Sequence, residues 1–276
     1  MVYRKADSHI VKTKSLMWIT PGRVLYTGLL GRPSVRRIGG MIVYVALTEP
    51  IRVSIDDGEW EEGDLVVVPP YMPHRITCQA LSVTDLIIEP ETVERVLLPS
   101  FMCDQQGVVY APIIVERVQR VVNQFLINGD ILPLDDAVFD ELLFGESLPR
   151  ATLDTRIARV LNDIAKDPTG STSAENYASQ SQLSFSRFVH LFKGEVGVPL
   201  RTFRSWKRAR SMLHYVTQYA NLADIAQHTG YPDSSHFSHS IRRVFGLSPK
   251  DVFAGSRRLD LHCQPSIDST TARPKA

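Results

Sequence analysis

The sequence predicts a multi-domain α and β protein, with a β-rich N-terminal domain followed by helices and an all-α C-terminal domain. Three observations carry this. From Ile38 to about Glu89, short β-branched runs alternate with turn residues. From residue 151 onward the apolar period becomes helical and stays so. The charge splits at the same place: residues 1–149 hold 13 Lys and Arg against 20 Asp and Glu, a net of −7, while residues 150–258 hold 16 against 8, a net of +8. The expected domains are therefore 1–149 and 150–258, with a polar, aperiodic tail over 259–276 read as disordered.

Composition excludes several classes. With 43% hydrophobic and 22% charged residues the chain is that of an ordinary globular protein, and no run approaches the roughly 18 apolar residues that would span a bilayer. The basic N-terminus lacks an apolar signal region with a cleavage site, so a cytoplasmic protein is expected. Cys78, Cys103 and Cys263 are odd in number, widely spaced and in no CxxC pair, which argues against both a disulfide framework and a zinc cage.

The runs MIVYVAL, IRVSI, EEGDLVVVPP and HRITCQALSVTDLIIE read as strands of a small barrel or sandwich over about 20–90. Asp57-Gly58 is its hairpin signal and Gly63-Asp64 a further turn. Helices are expected over about 111–145. In PIIVERVQRVVNQFLI, residues Ile114, Val118, Val121, Val122 and Phe125 recur at helical spacing behind Pro112. Ile113, Val115 and Leu126 widen that apolar surface beyond one packing face, so an inter-subunit contact, and hence a homodimer, is expected, with burial against the β domain alone as the alternative. A short helix follows near Asp135–Phe144, then a linker over Gly145–Arg150. Leu153, Ile157, Val160, Leu161 and Ile164 form one face of the next helix, which stops before Asp167-Pro168; Ser171–Ser173 offer N-caps beyond it.

One unit then occurs twice. FVHLFKGEVG (188–197) aligns with FSHSIRRVFG (237–246), matching Phe188 with Phe237, His190 with His239, Lys193 with Arg242 and Gly197 with Gly246; upstream, Ala178 pairs with Ala226 and Leu183 with Tyr231. Each copy reads as a short helix with a buried small residue, a tight turn and a second helix. Gly230 supplies the left-handed turn position of the second copy. This is a helix-turn-helix. The apolar residues of each second helix (Phe188, Leu191, Phe192; Phe237, Ile241, Val244) must face the core, which leaves Ser186, Val189 and His190, and Ser235, His236 and His239, on the opposite faces. A helix about 10 Å across fits the major groove of double-stranded DNA, where hydroxyls, imidazoles and a valine reach base edges. Arg187, Lys193, Arg242 and Arg243 would hold phosphates. His236 and His239 alone do not make a metal site, for no Cys, Asp or third His completes a shell. PLRTFRSWKRARSMLHYV (199–216) reads as a joining helix of roughly 27 Å that spaces the two units for successive groove segments. Trp206 is assigned to its core side, while Arg201, Arg204, Lys207 and Arg208 are solvated or phosphate-facing.

Leu153 to about Phe253 resembles the DNA-binding domain of AraC/XylS-type transcription regulators, whose signature G-Y/F-x-x-x-S-x-F-S-R-x-F-K/R-x-x-F-G-x-S/T-P is nearly complete from Gly230 to Pro249. His239 stands where that family has Arg, Ile241 where it has Phe, and Gln182 where its first unit has the turn Gly. The resemblance implies an N-terminal cupin-like barrel. Gly63, Pro69 and His74 fit the spacing of the second cupin motif, with Tyr71 in place of its Gly and Cys78 in place of its Asn; the first motif is absent, with aliphatics near Val45 and Leu47. His74 therefore lacks partner ligands, which disfavours a metal-dependent cupin enzyme. No metal, cofactor or catalytic residue is expected. The resemblance implies a transcription regulator, with RNA polymerase as a partner if it activates. A small molecule would act on the barrel in a pocket of Tyr26, Tyr44, Trp60, Tyr71 and His74; the alternative is an effector-less regulator governed by abundance or a protein partner.

Overall fold

Strands as continuously apolar as MIVYV and LVVV have two faces to bury, and the fold covers both. The structure is a computed structural model that describes residues 15–30, 33–80, 82–103, 106–129, 133, 135–215, 222–246 and 259–263. The basic N-terminus before Ser15, the expected helix end at Val216, the signature beyond Gly246 and the tail beyond Cys263 lie outside the described residues.

Two sheets build the N-terminal domain. The larger runs β10-β1-β2-β8-β3-β6-β9, where β1 is Ser15–Ile19, β2 Arg23–Leu29, β3 Met41–Val45, β6 Leu65–Val68, β8 Ser82–Ile88, β9 Gly107–Val108 and β10 Leu259–His262. The smaller runs β5-β4-β7, from Trp60–Gly63, Ile51–Ile55 and His74–Cys78. The hairpin between β4 and β5 forms as expected, with its left-handed residues at Asp56 and Asp57. Inner-face residues of the two sheets, among them Ile42, Tyr44, Val66, Val53 and Ile76, share one core.

The outer face of the larger sheet (Leu16, Trp18, Val43, Leu86) packs beneath helices. After the single turn α1 (Ser100–Cys103) come α2 (Pro112–Asn128), which starts on a proline and stops at Gly129 with φ +66°, and α3 (Asp136–Phe144). This corrects the inter-subunit reading for Ile114, Val118, Val121, Val122 and Phe125 of α2. Val118 and Val122 are fully buried against the sheet, and Ile114, Val121 and Phe125 pack against the same core, so that face is intramolecular. The apolar surplus has a simple cause: a sheet buried on both faces needs a wide helical cover. The large apolar side chains that α2 leaves exposed are Ile113 and Ile127. A buried fork from Arg23 to Asp140, at 2.7 and 2.8 Å, ties α3 to β2.

The C-terminal domain is helical: α4 Thr155–Lys166, α5 Ala174–Gln180, α6 Phe185–Val196, α7 Leu200–Ser211, α8 Leu222–His228 and α9 Ser234–Phe245. A second correction concerns the tail. Leu259–His262 is not irregular: it is β10, which adds in parallel to the edge of β1 and places Leu259 and Leu261 against the inner core.

Candidate nucleic-acid interface

The helical face of each unit is set by what it must bury. In α4, Ile157, Val160, Leu161 and Ile164 turn inward and meet Tyr177 and Ala178 of α5 and Phe188 and Phe192 of α6. In the second unit Ile225 and Ala226 of α8 meet Phe237 and Ile241 of α9. Leu191 and Val244 are half-buried at the margins. Ser173, Ser184 and Asp233 cap α5, α6 and α9, each accepting amide hydrogen bonds in the first turn.

With the cores so placed, the residues assigned to the opposite faces emerge at the surface. Ser186 and His190 are exposed and Val189 half-buried on α6; Ser235, His236 and His239 are all exposed on α9. The flanking cations Arg187, Lys193, Arg242 and Arg243 are exposed too. Ser235, His239 and Arg242 line a cleft of about 700 Å³ between α8 and α9, together with Ala223, Asp224, Ser234 and Ser238, which the sequence reading did not single out. His236 lies outside that cleft, on the flank toward Arg243, because three residues of helix turn the face by about 60°. The Asp233 carboxylate accepts from the amides of Ser235 and His236 at 2.8 Å each, and those bonds hold it below the usual carboxylate range despite some desolvation. It thereby occupies the end of α9 that would otherwise attract a phosphate, so anions must be met by side chains.

Both turns use the left-handed region, through Gly230 (φ +69°) and Gln182 (φ +54°). The joining helix is α over Leu200–Ser211 and 3-10 over Met212–Tyr215, about 18 Å and 8 Å of rise, close to the expected span. Of its four cations left open by the sequence, Arg201 is exposed, Arg204 donates to the Thr172 carbonyl, Arg208 lies 5.8 Å from the Tyr231 ring centroid and Lys207 turns inward to Glu89 and Glu91. Trp206 is buried, as assigned.

A helix-turn-helix family model matches residues 177–255. The C-terminal domain is an AraC-type helix-turn-helix domain. The chain is 30% identical over 93 residues to the invasion protein InvF of Salmonella typhi, covering 32% of this chain and 41% of InvF. It is 33% identical over 79 residues to the transcriptional activator RhaS of Escherichia coli O157:H7, covering 28% of each. The chain thus spans less than half the length of these relatives. Over the whole fold it is similar to an apo ToxT variant of Vibrio cholerae, with TM-score 0.55 and 10% identity, covering 86% of this chain and 98% of that one. Wild-type ToxT with a bound unsaturated fatty acid gives TM-score 0.52 at 11% identity, covering 87% and 98%. The AraC-type domain therefore stands in a chain whose overall fold has a solved counterpart.

The five aromatic and imidazole residues expected to form one effector pocket do not come together. Trp60 is 41% exposed, with Arg52 over its ring at 5.6 Å. Tyr71 is partly buried at the domain junction, where burial and then the charges of Glu89 and Glu91 push its phenol up. Tyr44 and His74 do meet inside the β domain. The Nδ1–H of His74 donates to the Met72 carbonyl at 3.0 Å, so its Nε2 accepts from the Tyr44 hydroxyl at 2.7 Å. Burial pushes His74 down to about 4. Asp85 faces Tyr26 and Tyr44 across the ladder, and burial pushes it up to about 7, partly offset by Arg36. Neither Asp85 nor Arg36 was legible as a site residue. Among the described residues no three His, Cys, Asp or Glu side chains converge as a metal site, and no helix is long and apolar enough to cross a membrane.

Proposed function

We propose that this protein is a sequence-specific DNA-binding transcription regulator that acts through residues 150–258, with residues 1–149 as the controlling domain. The observation that carries the reading is the pair of exposed faces on α6 and α9, polar at the centre and cationic at the flank, joined by one helical segment in an AraC-type domain. Base reading falls to Ser186, Val189, His190, Ser235, His236 and His239, and phosphate contact to Arg187, Lys193, Arg242 and Arg243. The reading assigns no catalytic residue.

A small-molecule effector fits the β domain. A ToxT of similar fold binds an unsaturated fatty acid, so the architecture accommodates a ligand. In this chain the candidate site is Tyr26, Tyr44 and His74 with Arg36 and Asp85. Asp85 Oδ1 and Arg36 Nε are buried without hydrogen-bond partners, which favours a ligand that brings both a donor and an acceptor. Homodimerisation, with Ile113 and Ile127 exposed on α2, and, if the protein is an activator, contact with RNA polymerase belong to the same proposal.

The test is enrichment of duplexes from a random-sequence pool by the full-length protein. A common site that survives competition with bulk genomic DNA is expected. Enrichment of nothing beyond the starting pool overturns the reading.

A further inference from the structure

The described residues form three apolar cores, and their division ignores the domain boundary. Leu200 and Phe203, in the first half of α7, share a core with the first helix-turn-helix. Trp206, Ala209, Met212 and Leu213 share theirs with the second unit and with the interior of the β domain. The β domain thus grips the second unit directly.

Glu89 stands at the crossing. It follows β8 and is 0% exposed, a place for a carboxylate only if donors converge on it. Among the described residues α7 supplies three: Trp206 Nε1 donates at 2.8 Å, Lys207 Nζ at 2.7 Å, and Arg210 Nε pairs at 2.6 Å. Burial alone would push the Glu89 carboxyl up; Lys207 and Arg210 together hold it below the usual carboxylate range. Arg210 Nη2 also donates to the carbonyls of Thr20 and Arg23, and Lys207 bridges on to Glu91. Gly39 lies against the Trp206 indole so closely that an added Cβ would stand 2.3 Å from its Cγ. A second grip holds the end of α9. The amide of Arg37 donates to the carbonyls of Arg243 and Val244, and the Ser34 hydroxyl to that of Gly246, partnering groups that a helix C-terminus leaves open.

We propose that Glu89 is a positioning residue for DNA binding: through Trp206, Lys207 and Arg210 it fixes the second half of α7, so that the β domain sets where α9 stands relative to α6. This rests on the DNA-binding reading above. It makes the two units unequal, the second sharing a core with the β domain and the first bordering it where α6 meets Pro90–Thr92 without sharing that core, and it removes Lys207 and Arg210 from the cations available to phosphate.

The experiment uses full-length protein and the duplex enriched from the random pool, together with two versions in which one half or the other is scrambled. The α9 half is the one at which His239→Ala loses preference. Glu89→Ala and Glu89→Gln remove the anchor, and Gly39→Ala displaces Trp206 while leaving every charge in place, so that a folding failure of the first pair does not end the test. The expected result is at least a tenfold loss of affinity on the intact duplex, with little change on the duplex whose α9 half is scrambled. A residue that only supports folding would lower the active fraction equally on all three duplexes. Equal losses, no loss in any folded variant, or a gain at the α9 half overturns the proposal. If no duplex is enriched at the outset, it is the DNA-binding reading that has failed; if duplexes are enriched and the halves respond alike, the positioning role alone has failed.

Discussion

Gln182 and Gly230 hold the same place in the two helix-turn-helix units, and both adopt left-handed backbone, with φ of +54° and +69°. In the second turn the glycine is required twice over, since a Cβ there would also stand 2.9 Å from that of Thr169. In the first, a side chain is carried in a region that costs a non-glycine residue about 1 kcal/mol or more. Gln182→Gly should therefore stabilise the protein by up to about 1 kcal/mol, the gain being reduced by the larger entropy glycine loses on folding. Urea denaturation compares the two proteins. A lower midpoint for the variant would mean that Gln182 makes a contact worth more than the strain.

The repeat was legible because both copies set the same residue types at one offset, and a helix-turn-helix needs few others: a small residue in the first helix, a left-handed turn, an apolar stripe in the second. Tyr71 obeyed the same logic, for it replaces the glycine of a family motif and holds φ +63°. What stayed hidden was the partner of each face. Helical spacing shows that Trp206, Lys207 and Arg210 lie together, but not that a buried Glu89 from a distant strand end lies opposite them, and a Glu closing the run LIIE looks like any strand end. The apolar surplus of α2 fits either a second protein or the sheet as its cover, and it is the continuous run MIVYV, with two faces to bury, that favours the sheet. In LDLH the alternation is too short to stand out from a polar tail.

Asp85 and His74 make opposite contributions to stability as pH changes. Asp85, pushed up to about 7, binds its proton more tightly in the folded protein than in the unfolded chain, so its contribution falls as pH rises from about 4 to 7. His74, pushed down to about 4 by burial, binds its proton more tightly in the unfolded chain, so its contribution is present above pH 6.5 and is lost as pH falls toward 4. Arg36, Tyr26 and Tyr44 face the same site, and burial pushes the Tyr44 phenol up, away from this window. Each group acts with a slope near 1.4 kcal/mol per pH unit at most, and the two nearly cancel between pH 4 and 6.5. Relative to the parent, Asp85→Asn should show stability that rises with pH across that range, and His74→Gln stability that falls. Denaturant midpoints at pH 4.5, 5.5 and 6.5 read the difference; parallel curves for all three proteins would refute it.

The Arg23–Asp140 fork is nearly closed to solvent, with side chains 3% and 2% exposed. Asp140 also accepts the Leu148 amide, and Arg23 Nη1 donates to Thr92. Removing one partner leaves a buried charge without compensation, which costs about 3–5 kcal/mol. Asp140→Ala should lose that amount in chemical denaturation, and the Arg23→Met, Asp140→Leu double variant should recover much of it. A double variant as unstable as the single would show that the fork is worth more than the apolar packing that replaces it.

The exposed face of α9 separates into a reading part and a holding part. His239 shares the α8–α9 cleft with Ser235, is exposed, and stands near the middle of the helix. An imidazole there can hydrogen-bond one base edge and, unlike a guanidinium, cannot grasp guanine with two parallel donors. His239→Ala and His236→Ala should each relax preference at one or two base pairs at a cost of about 1–3 kcal/mol on the enriched site, with little loss on random duplex. Because His236 stands on the Arg243 flank, its base pair should be distinct from that of His239. Arg242→Ala should instead weaken all duplexes alike and reduce the dependence of log affinity on log salt by about one. Titrations at several salt concentrations, on the enriched site and on a scrambled duplex, resolve the three. Equal losses on both duplexes for all three variants would mean that the face binds backbone only, and that sequence is read by α6.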